Sequence, residues 1–568
     1  MIKKFLKNNI YFILVFILSL PSVFALFKGG FYGASDDMHI AWLFEMDKII
    51  KIWQIPPRFV PDLSFGFGYP LFNFVFPLPF YLGELYHLIG FSFVDSIKLV
   101  YGVSLVGASL AMYLLLKEFL NKELSVVGSL IYLYTPYRST DVYSRGAIGE
   151  SLSFVFLPLI ILSVVRIYKY CEDKLNNKLN WKNILVLAIS LAALVLSHNI
   201  VSYMFFPFIL LLILFLFFSQ VNKRIYVVSN ILGIISGLLI SIYFWLPAII
   251  ESSLMKYETV FNIKDHFPTM KQLITPYFGY GSSVAGPYDW MSFFLGEVNI
   301  AILIIGIILS IFFWKRFKRL EKNLFIWSIV TFFMSIFMMN YRSSFIWDNI
   351  PFLPYFQFPW RFLTLTTFSS VFFLLPLNYL IKNKTFKIIT ALAFVFLTIF
   401  LNVGYFKPHD YLGRVDGYYI NRYIPVPLVS QDYLTLQEEY LRLPKSLKER
   451  PSQVYPILFS DNEITYKVIK EDGLSSTINF EMGNSGLIYY NKYYFPGWVA
   501  QLDGKEVKLS AGEPFAQISL YVEKGEHIVK FEFKEIWYRK ILNWLSLLTL
   551  LSLIVLNCKY KNHEKNIK

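Results

Sequence analysis

Apolar stretches of about 18 residues or more recur along this chain, each long enough to cross a hydrocarbon layer of about 30 Å as a helix. Between them fall tight clusters of basic residues: Lys3/Lys4/Lys7, Lys117/Lys122, Lys169/Lys174/Lys178/Lys182, Lys223/Arg224, Lys315/Arg316/Lys318/Arg319, Lys382/Lys384/Lys387 and Lys559/Lys561/Lys565/Lys568. Such a pattern leaves a polytopic helical membrane protein as the fold class. It also orients the bundle, because loops rich in lysine and arginine stay cytoplasmic. The composition agrees: 56% of the 568 residues are hydrophobic, against roughly 45–50% in soluble domains. The net charge of +14 does not call for nucleic acid. The basic residues sit at the ends of apolar runs, where anionic lipid headgroups account for them.

By window length, spans are expected at 10–27, 94–116, 123–137, 150–168, 183–197, 200–219, 225–248, 299–314, 323–340, 362–381, 386–405 and 540–558, about twelve in all. The N-terminus has signal-like flanks but no small-x-small cleavage site, so it reads as an uncleaved first span with a cytoplasmic start. The apolar run Tyr69 to Gly90 is left out of the count. Pro70, Pro77 and Pro79 break a regular helix, and counting it would place the later basic clusters outside. It is expected as an interfacial or re-entrant segment on the outer face. Both termini then lie in the cytoplasm, and the large loops outside. Cys171 and Cys558, the two cysteines, fall on the cytoplasmic side, so no disulfide framework serves the outer parts.

Three regions follow. Residues 1–405 form a transmembrane domain with a first outer loop at 28–93. Residues 406–535 form a polar extracytoplasmic domain. Residues 536–568 supply a last span and a basic tail. Within the second region, Leu487–Tyr493, Val499–Leu502, Lys505–Leu509, Gln517–Tyr521 and His527–Phe533 alternate with period two. Asp503-Gly504 signals a tight hairpin. A small β-sandwich packed on the membrane domain is expected.

Candidate chemistry gathers on the outer side. Asp36, Asp37 and His39 follow directly on the first span. Ser35 or Asp36 reads as a helix cap, with Asp37 at the positive end of the dipole. The pair equally reads as a general base or metal-binding pair at the membrane surface. The second outer loop, 138–150, holds Arg138, Asp141, Arg145 and Glu150 with Gly146 and Gly149. It is either a solvated turn with an internal ion pair or a site in which arginine grips phosphate. His198 and Arg361 lie at outer span ends, where an interfacial role competes with ligand binding. Asp289, Glu297 and His266 occupy the third outer loop without distinctive spacing. No G-x-x-x-x-G-K-[ST] loop and no zinc-type Cys/His cluster occurs, so any donor must arrive already energised.

The first-loop sequence Asp36-Asp37-x-His39, then IPPRF, GFGYPLF and FPLPFYL, resembles bacterial membrane proteins labelled 6-pyruvoyl-tetrahydropterin-synthase-related. TPYRSTDVYSRGAIGE, LSHN, FWLPAIIE and FQFPWRFL extend the resemblance. YYFPGWVAQLDGKEV and KGEHIVKFEF are similar to the outer module of YfhO-like proteins. Nothing in the chain supports pterin chemistry. The resemblance implies a GT-C-like bundle, the architecture of integral-membrane glycosyltransferases, and a polyprenyl-phosphate-linked sugar as donor. It places Asp36 and Asp37 as base or metal ligands, with Mg or Mn as the ion if there is one. Asp141 or Glu150 becomes the second acidic motif. Arg58, Arg138, Arg145 and Arg361 become candidates for the donor phosphate. The acceptor is then an extracytoplasmic glycan, lipid or protein. A lipid or solute transporter and a non-catalytic envelope-assembly scaffold are the rival classes. The transporter reading wants ionisable groups at mid-membrane, and the expected spans carry almost none.

Overall fold

The computed structural model describes residues 2–173, 178–256, 262–351, 353–380, 383–426 and 441–567. Among them, ten helices are long and apolar enough to cross a membrane: Asn9–Phe27, Phe93–Leu116, Ile148–Glu172, Asn199–Ser219, Lys223–Ile240, Glu297–Arg316, Arg319–Met338, Pro359–Leu380, Lys384–Tyr405 and Trp537–Lys559. The chain is a multi-pass membrane protein. Ten of the twelve expected spans correspond to these helices. The other two are shorter. Trp181–Ser197 has 17 residues, and Lys122–Leu133 has 12 before the chain turns at Pro136. At 1.5 Å per residue the latter is about 18 Å long. The expected span 225–248 is interrupted at Ser241, between Lys223–Ile240 and Ile242–Glu251.

Burial ranks these helices. Ile148–Glu172 and Pro359–Leu380 are each 83% buried over their apolar window, against 11% for Trp537–Lys559. The first two form the centre of the bundle, and the candidate residues of loop 138–150 and Arg361 sit at their N-terminal ends.

Tyr69 to Gly90 holds no spanning helix. It folds as Leu71–Phe74 and Leu78–Leu88, the longer piece reaching only about 16 Å. Phe72, Phe74 and Phe80 are buried, whereas Leu85, Leu88 and Ile89 face outward.

The C-terminal β domain has nine strands, all paired antiparallel, in two sheets. One runs β1-β4-β8-β7 and the other β2-β3-β9-β5-β6. Their ranges are β1 Leu458–Ser460, β2 Ile464–Glu471, β3 Ser475–Met482, β4 Gly486–Tyr493, β5 Trp498–Leu502, β6 Lys505–Val507, β7 Ser510–Ala511, β8 Gln517–Val522 and β9 Gly525–Phe533. Across the two sheets Tyr490 stacks on Phe531 at 4.3 Å. Asp503 and Gly504 both take positive φ between β5 and β6, as a two-residue hairpin of this type requires. β2 lacked a sequence signal because it is almost wholly exposed, whereas β3 alternates, with Ile478, Phe480 and Met482 buried, and was not among the expected strands.

The β domain is bound to the first loop. Phe59 packs edge-on to Trp498, and Lys492 donates to the carbonyls of Gly66 at 2.6 Å and Pro61 at 3.2 Å. A buried polar network then ties the last helix to the same loop. Arg539 donates to Glu251 at 2.5 Å, Asn73 donates to Glu251 at 2.7 Å, and Arg58 donates to Asn73 at 3.2 Å.

Candidate active site

Two loops more than a hundred residues apart meet backbone to backbone. The N–H of Ser35 donates to the Ser144 carbonyl at 3.1 Å, and that of Asp36 to the Arg145 carbonyl at 2.8 Å. Gly146 makes the approach feasible. It sits in the left-handed region at φ +73, and a Cβ there would stand 3.1 Å from Ala34 and 3.5 Å from the Asp36 nitrogen. This pairing overturns the expected cap. Helix His39–Lys51 starts after Met38 with no side-chain cap, because the backbone of Ser35 and Asp36 is already committed to the second loop.

The second loop is not a solvated turn. Arg138, Asp141 and Glu150 are fully buried and Arg145 nearly so. Residues Thr140–Arg145 form a π-type turn, a geometry found often at functional positions. The turn folds Arg145 back over its own segment. One guanidinium nitrogen donates to Asp141 at 2.6 Å and to Glu150 at 2.8 Å. The guanidinium also lies 4.5 Å from the Trp360 ring centroid. Glu150 further accepts from the Tyr137 hydroxyl at 2.5 Å and the Thr364 hydroxyl at 2.9 Å. One cation thus serves two buried carboxylates. Burial, and then the charge of Glu150, push the Asp141 carboxyl well above the usual range, against the pull of Arg145. Asp141 Oδ2 has no hydrogen-bond partner among the described residues.

Around this trio stand the first-loop acids and two imidazoles. Asp36 is half-buried and its charge acts on Arg145 and on Tyr101. Asp37, nine-tenths buried, accepts from the Tyr423 hydroxyl and lies 3.9 Å from Arg422 Nε. His39 is buried edge-on to Trp42 and Phe80. Burial first, and the Arg442 charge second, lower its pKa to about 3, so the ring is neutral. His198 caps the helix Asn199–Ser219 through Nδ1, which accepts from the Val201 N–H at 3.2 Å. That bond leaves Nε2 carrying the proton. The groups acting on His198 are Arg361, Glu150, Arg145 and His39, so these five side chains share one neighbourhood. Phe76 lies 5.1 Å from His198 and 6.4 Å from Phe80, linking the two imidazoles through the Tyr69–Gly90 segment.

Two expected phosphate ligands are engaged elsewhere. Arg138 donates to the carbonyls of Ser151 and Ser104, both at 3.1 Å, and stacks on Phe154 at 4.0 Å. It staples two central helices. Arg58 donates to Glu535 at 2.9 Å, Asn73 at 3.2 Å and Asn543 at 3.1 Å, within the network that holds the last helix. Both guanidinium groups are buried within these contacts.

Asp141 and Glu150 do not offer a site for a divalent cation. They already share Arg145 as their counter-ion, and among the described residues no group of three or more His, Cys, Asp or Glu is arranged to hold a metal. Two surface hollows, of about 330 Å³ beside Asp95 and Asp416 and about 250 Å³ beside Trp53 and Glu532, are lined by other residues.

Sequence reasoning missed Tyr137, Trp360, Thr364, Arg422 and Tyr423 as partners. Tyr137 and Trp360 stand beside arginines that were singled out, which was the available signal. Tyr423 and Arg422 sit in Asp416–Tyr423, nearly four hundred residues from Asp37, and carried none.

No family model matches the chain. An uncharacterized protein of Lactococcus lactis subsp. cremoris (strain MG1363) is 24% identical over 256 residues, covering 43% of this chain and 40% of that one. The match therefore spans less than half of the curated relative's length. Among solved structures, the Archaeoglobus fulgidus oligosaccharyltransferase tethered with an acceptor peptide is 16% identical with a TM-score of 0.46, covering 80% of this chain and 62% of that one. The mycobacterial arabinofuranosyltransferase AftD is 12% identical with a TM-score of 0.41, covering 72% of this chain and 28% of that one.

Proposed function

We propose that this chain is an integral-membrane glycosyltransferase of the GT-C type, moving a sugar from a polyprenyl-phosphate donor to an extracytoplasmic acceptor. The observation that carries the reading is the junction of the two outer loops. There a half-exposed carboxylate, Asp36, stands over a closed Asp141–Arg145–Glu150 trio, with His39, His198 and Arg361 in the same neighbourhood. The basic clusters put this junction on the outer side.

Asp36 is the general base. Asp37 is engaged by Tyr423 and Arg422, and Asp141 and Glu150 are sealed, which leaves Asp36 as the accessible acid of the four. It takes the proton of an acceptor hydroxyl. The oxygen bonds to the anomeric carbon as the bond from that carbon to the lipid-phosphate oxygen breaks, and the electron pair leaves with the phosphate. Configuration inverts. Arg361 and the Nε2 proton of His198 offer positive charge and a hydrogen bond to the departing phosphate. Arg145 holds the second loop in shape by pairing with Asp141 and Glu150. Positioning and charge placement are the kinds of contribution this chemistry needs most.

The sealed trio also favours a second reading, a catalytically silent scaffold in which Arg145 is purely structural. Comparing surface glycans by mass spectrometry between wild-type and deletion strains separates the two. The transferase reading expects a glycan, glycolipid or glycoprotein lacking one defined sugar in the deletion strain, restored by the wild-type gene and not by an Asp36→Asn gene. An unchanged glycan profile, with stable envelope partners recovered in pull-downs, favours the scaffold.

A further inference from the structure

The third outer loop carries large aromatic rings on its surface. Tyr288 is 80% exposed, Trp290 63% and Tyr277 50%. Exposed rings on a floppy loop would mean little, but this loop is pinned. The Asp289 carboxylate accepts from Ser283 Oγ at 2.8 Å, the Val284 N–H at 3.0 Å and Gln272 Nε2 at 2.8 Å. The Tyr277 hydroxyl donates to the Trp290 carbonyl at 3.2 Å. The indole lies against Gly281, where a Cβ would stand 2.9 Å from the ring and where φ is +124. One part of the Trp290 side chain is thus seated on backbone while the rest faces outward.

The same glycine joins this surface to the candidate site. The Gly281 N–H donates to Ser144 Oγ at 3.2 Å, and Ser144 immediately precedes Arg145. Two further contacts fix the loop over the second outer loop. Phe278 stacks on Tyr405 at 4.6 Å, and the Tyr405 carbonyl accepts from Ser139 Oγ at 2.5 Å. Trp290 therefore stands at the rim of the junction, reached through one glycine and one serine.

The geometry points to Trp290, with Tyr277 and Tyr288, as a stacking platform for a saccharide acceptor at the mouth of the site. A pyranose presents a face of polarised C–H bonds to the electron-rich face of an indole. Its hydroxyls then meet small polar neighbours, here Ser282, Ser283 and Gln272. The lipid-facing surfaces of this chain look different. Ile308, Ile311, Phe312, Ile389, Leu392 and Phe396 are exposed along two spanning helices, while the Trp290 loop, residues 275–290, is rich in glycine, serine, proline and tyrosine. This inference rests on the transferase reading and narrows it, assigning a glycan rather than a lipid or protein as acceptor.

The test is saturation-transfer NMR on the full-length protein in nanodiscs, with maltoheptaose, chitotetraose and a mannan oligosaccharide as soluble probes. At least one probe is expected to receive transfer from wild-type protein. Trp290→Ala is expected to weaken its binding about tenfold or more, the size associated with truncating an interface tryptophan. Trp290→Phe, which keeps a flat ring and controls for folding, should retain most of it. The platform and the base fail separately: sugar transfer from a polyprenyl-phosphate sugar retained by Asp36→Asn sinks the base, and saccharide binding unaffected by Trp290→Ala sinks the platform. Absence of transfer to all three probes from wild-type protein also overturns the platform. Met270 and Ile274 are exposed on the short helix before the loop, so a membrane is the competing occupant. Bromine-labelled lipids that quench wild-type fluorescence more than that of Trp290→Phe would assign the rings to lipid and overturn the proposal.

Discussion

Asp36→Asn is expected to lower sugar transfer from a synthetic polyprenyl-phosphate sugar by about 10²–10⁴-fold, the range that general-base catalysis contributes. Asparagine keeps the shape and the backbone bond to Arg145 while removing the proton acceptor, so membrane insertion and thermal stability should stay near wild type. Asp37→Asn is expected to act differently. Its carboxylate is held by Tyr423 and lies near Arg422, so its loss loosens the Asp416–Tyr423 helix from the first loop. Tyr423→Phe should reproduce most of that effect, and Asp36→Asn should not. Radiolabelled transfer measured on purified variants decides the matter. Normal transfer by both normally inserted aspartate variants contradicts the reading of this site as catalytic.

Arg145→Ala is expected to be the most destabilising single change in the two loops, costing about 3–5 kcal/mol, because it strands the buried Glu150 carboxylate without its cation and removes the donor to Asp141. It also removes the ring contact with Trp360. Thermal unfolding in detergent and the yield of inserted protein measure the loss. Asp141→Asn should cost far less, about 1 kcal/mol, since that carboxyl is already driven toward its neutral form and one oxygen lacks a partner. The pH dependence follows from the same shift. The folded-state pKa of Asp141 lies above its unfolded value, so its contribution to stability is full at low pH and is lost as pH rises through the folded pKa. Asp141→Asn should remove that part of the pH dependence. A mild effect of Arg145→Ala would mean that the trio is not sealed.

Much of this organisation was legible in the chain. Apolar run length and basic clusters reported the spans because both are set directly by the thickness and charge of a bilayer. The three prolines of Tyr69 to Gly90 reported a broken helix, and Asp503-Gly504 reported its hairpin. The proximity of Asp36 to Arg145 was implied by sidedness, but no sequence pattern encodes two backbone hydrogen bonds between residues 109 positions apart. The sealing of loop 138–150 was illegible for a related reason. Thirteen residues with two arginines and two acids read as solvated until Tyr137, Thr364 and Trp360 close over them, and Thr364 and Trp360 lie more than two hundred residues further along the chain. Arg58 and Arg138 looked like phosphate ligands by composition. Only tertiary context shows their nitrogens spent on Glu535, Asn73, Asn543 and helix carbonyls.

The whole reading turns on the two loops meeting at the extracytoplasmic surface. Ser35 is exposed and pairs directly with Ser144, so a thiol placed there reports the location of the junction. A membrane-impermeant maleimide is expected to label Ser35→Cys in intact cells, in a background lacking Cys171 and Cys558. Lys315→Cys, exposed in a basic cluster, should be labelled only after permeabilisation. The reverse pattern, with Ser35→Cys protected until the membrane is opened, would put the acids on the cytoplasmic face and leave an extracytoplasmic transferase without its active site.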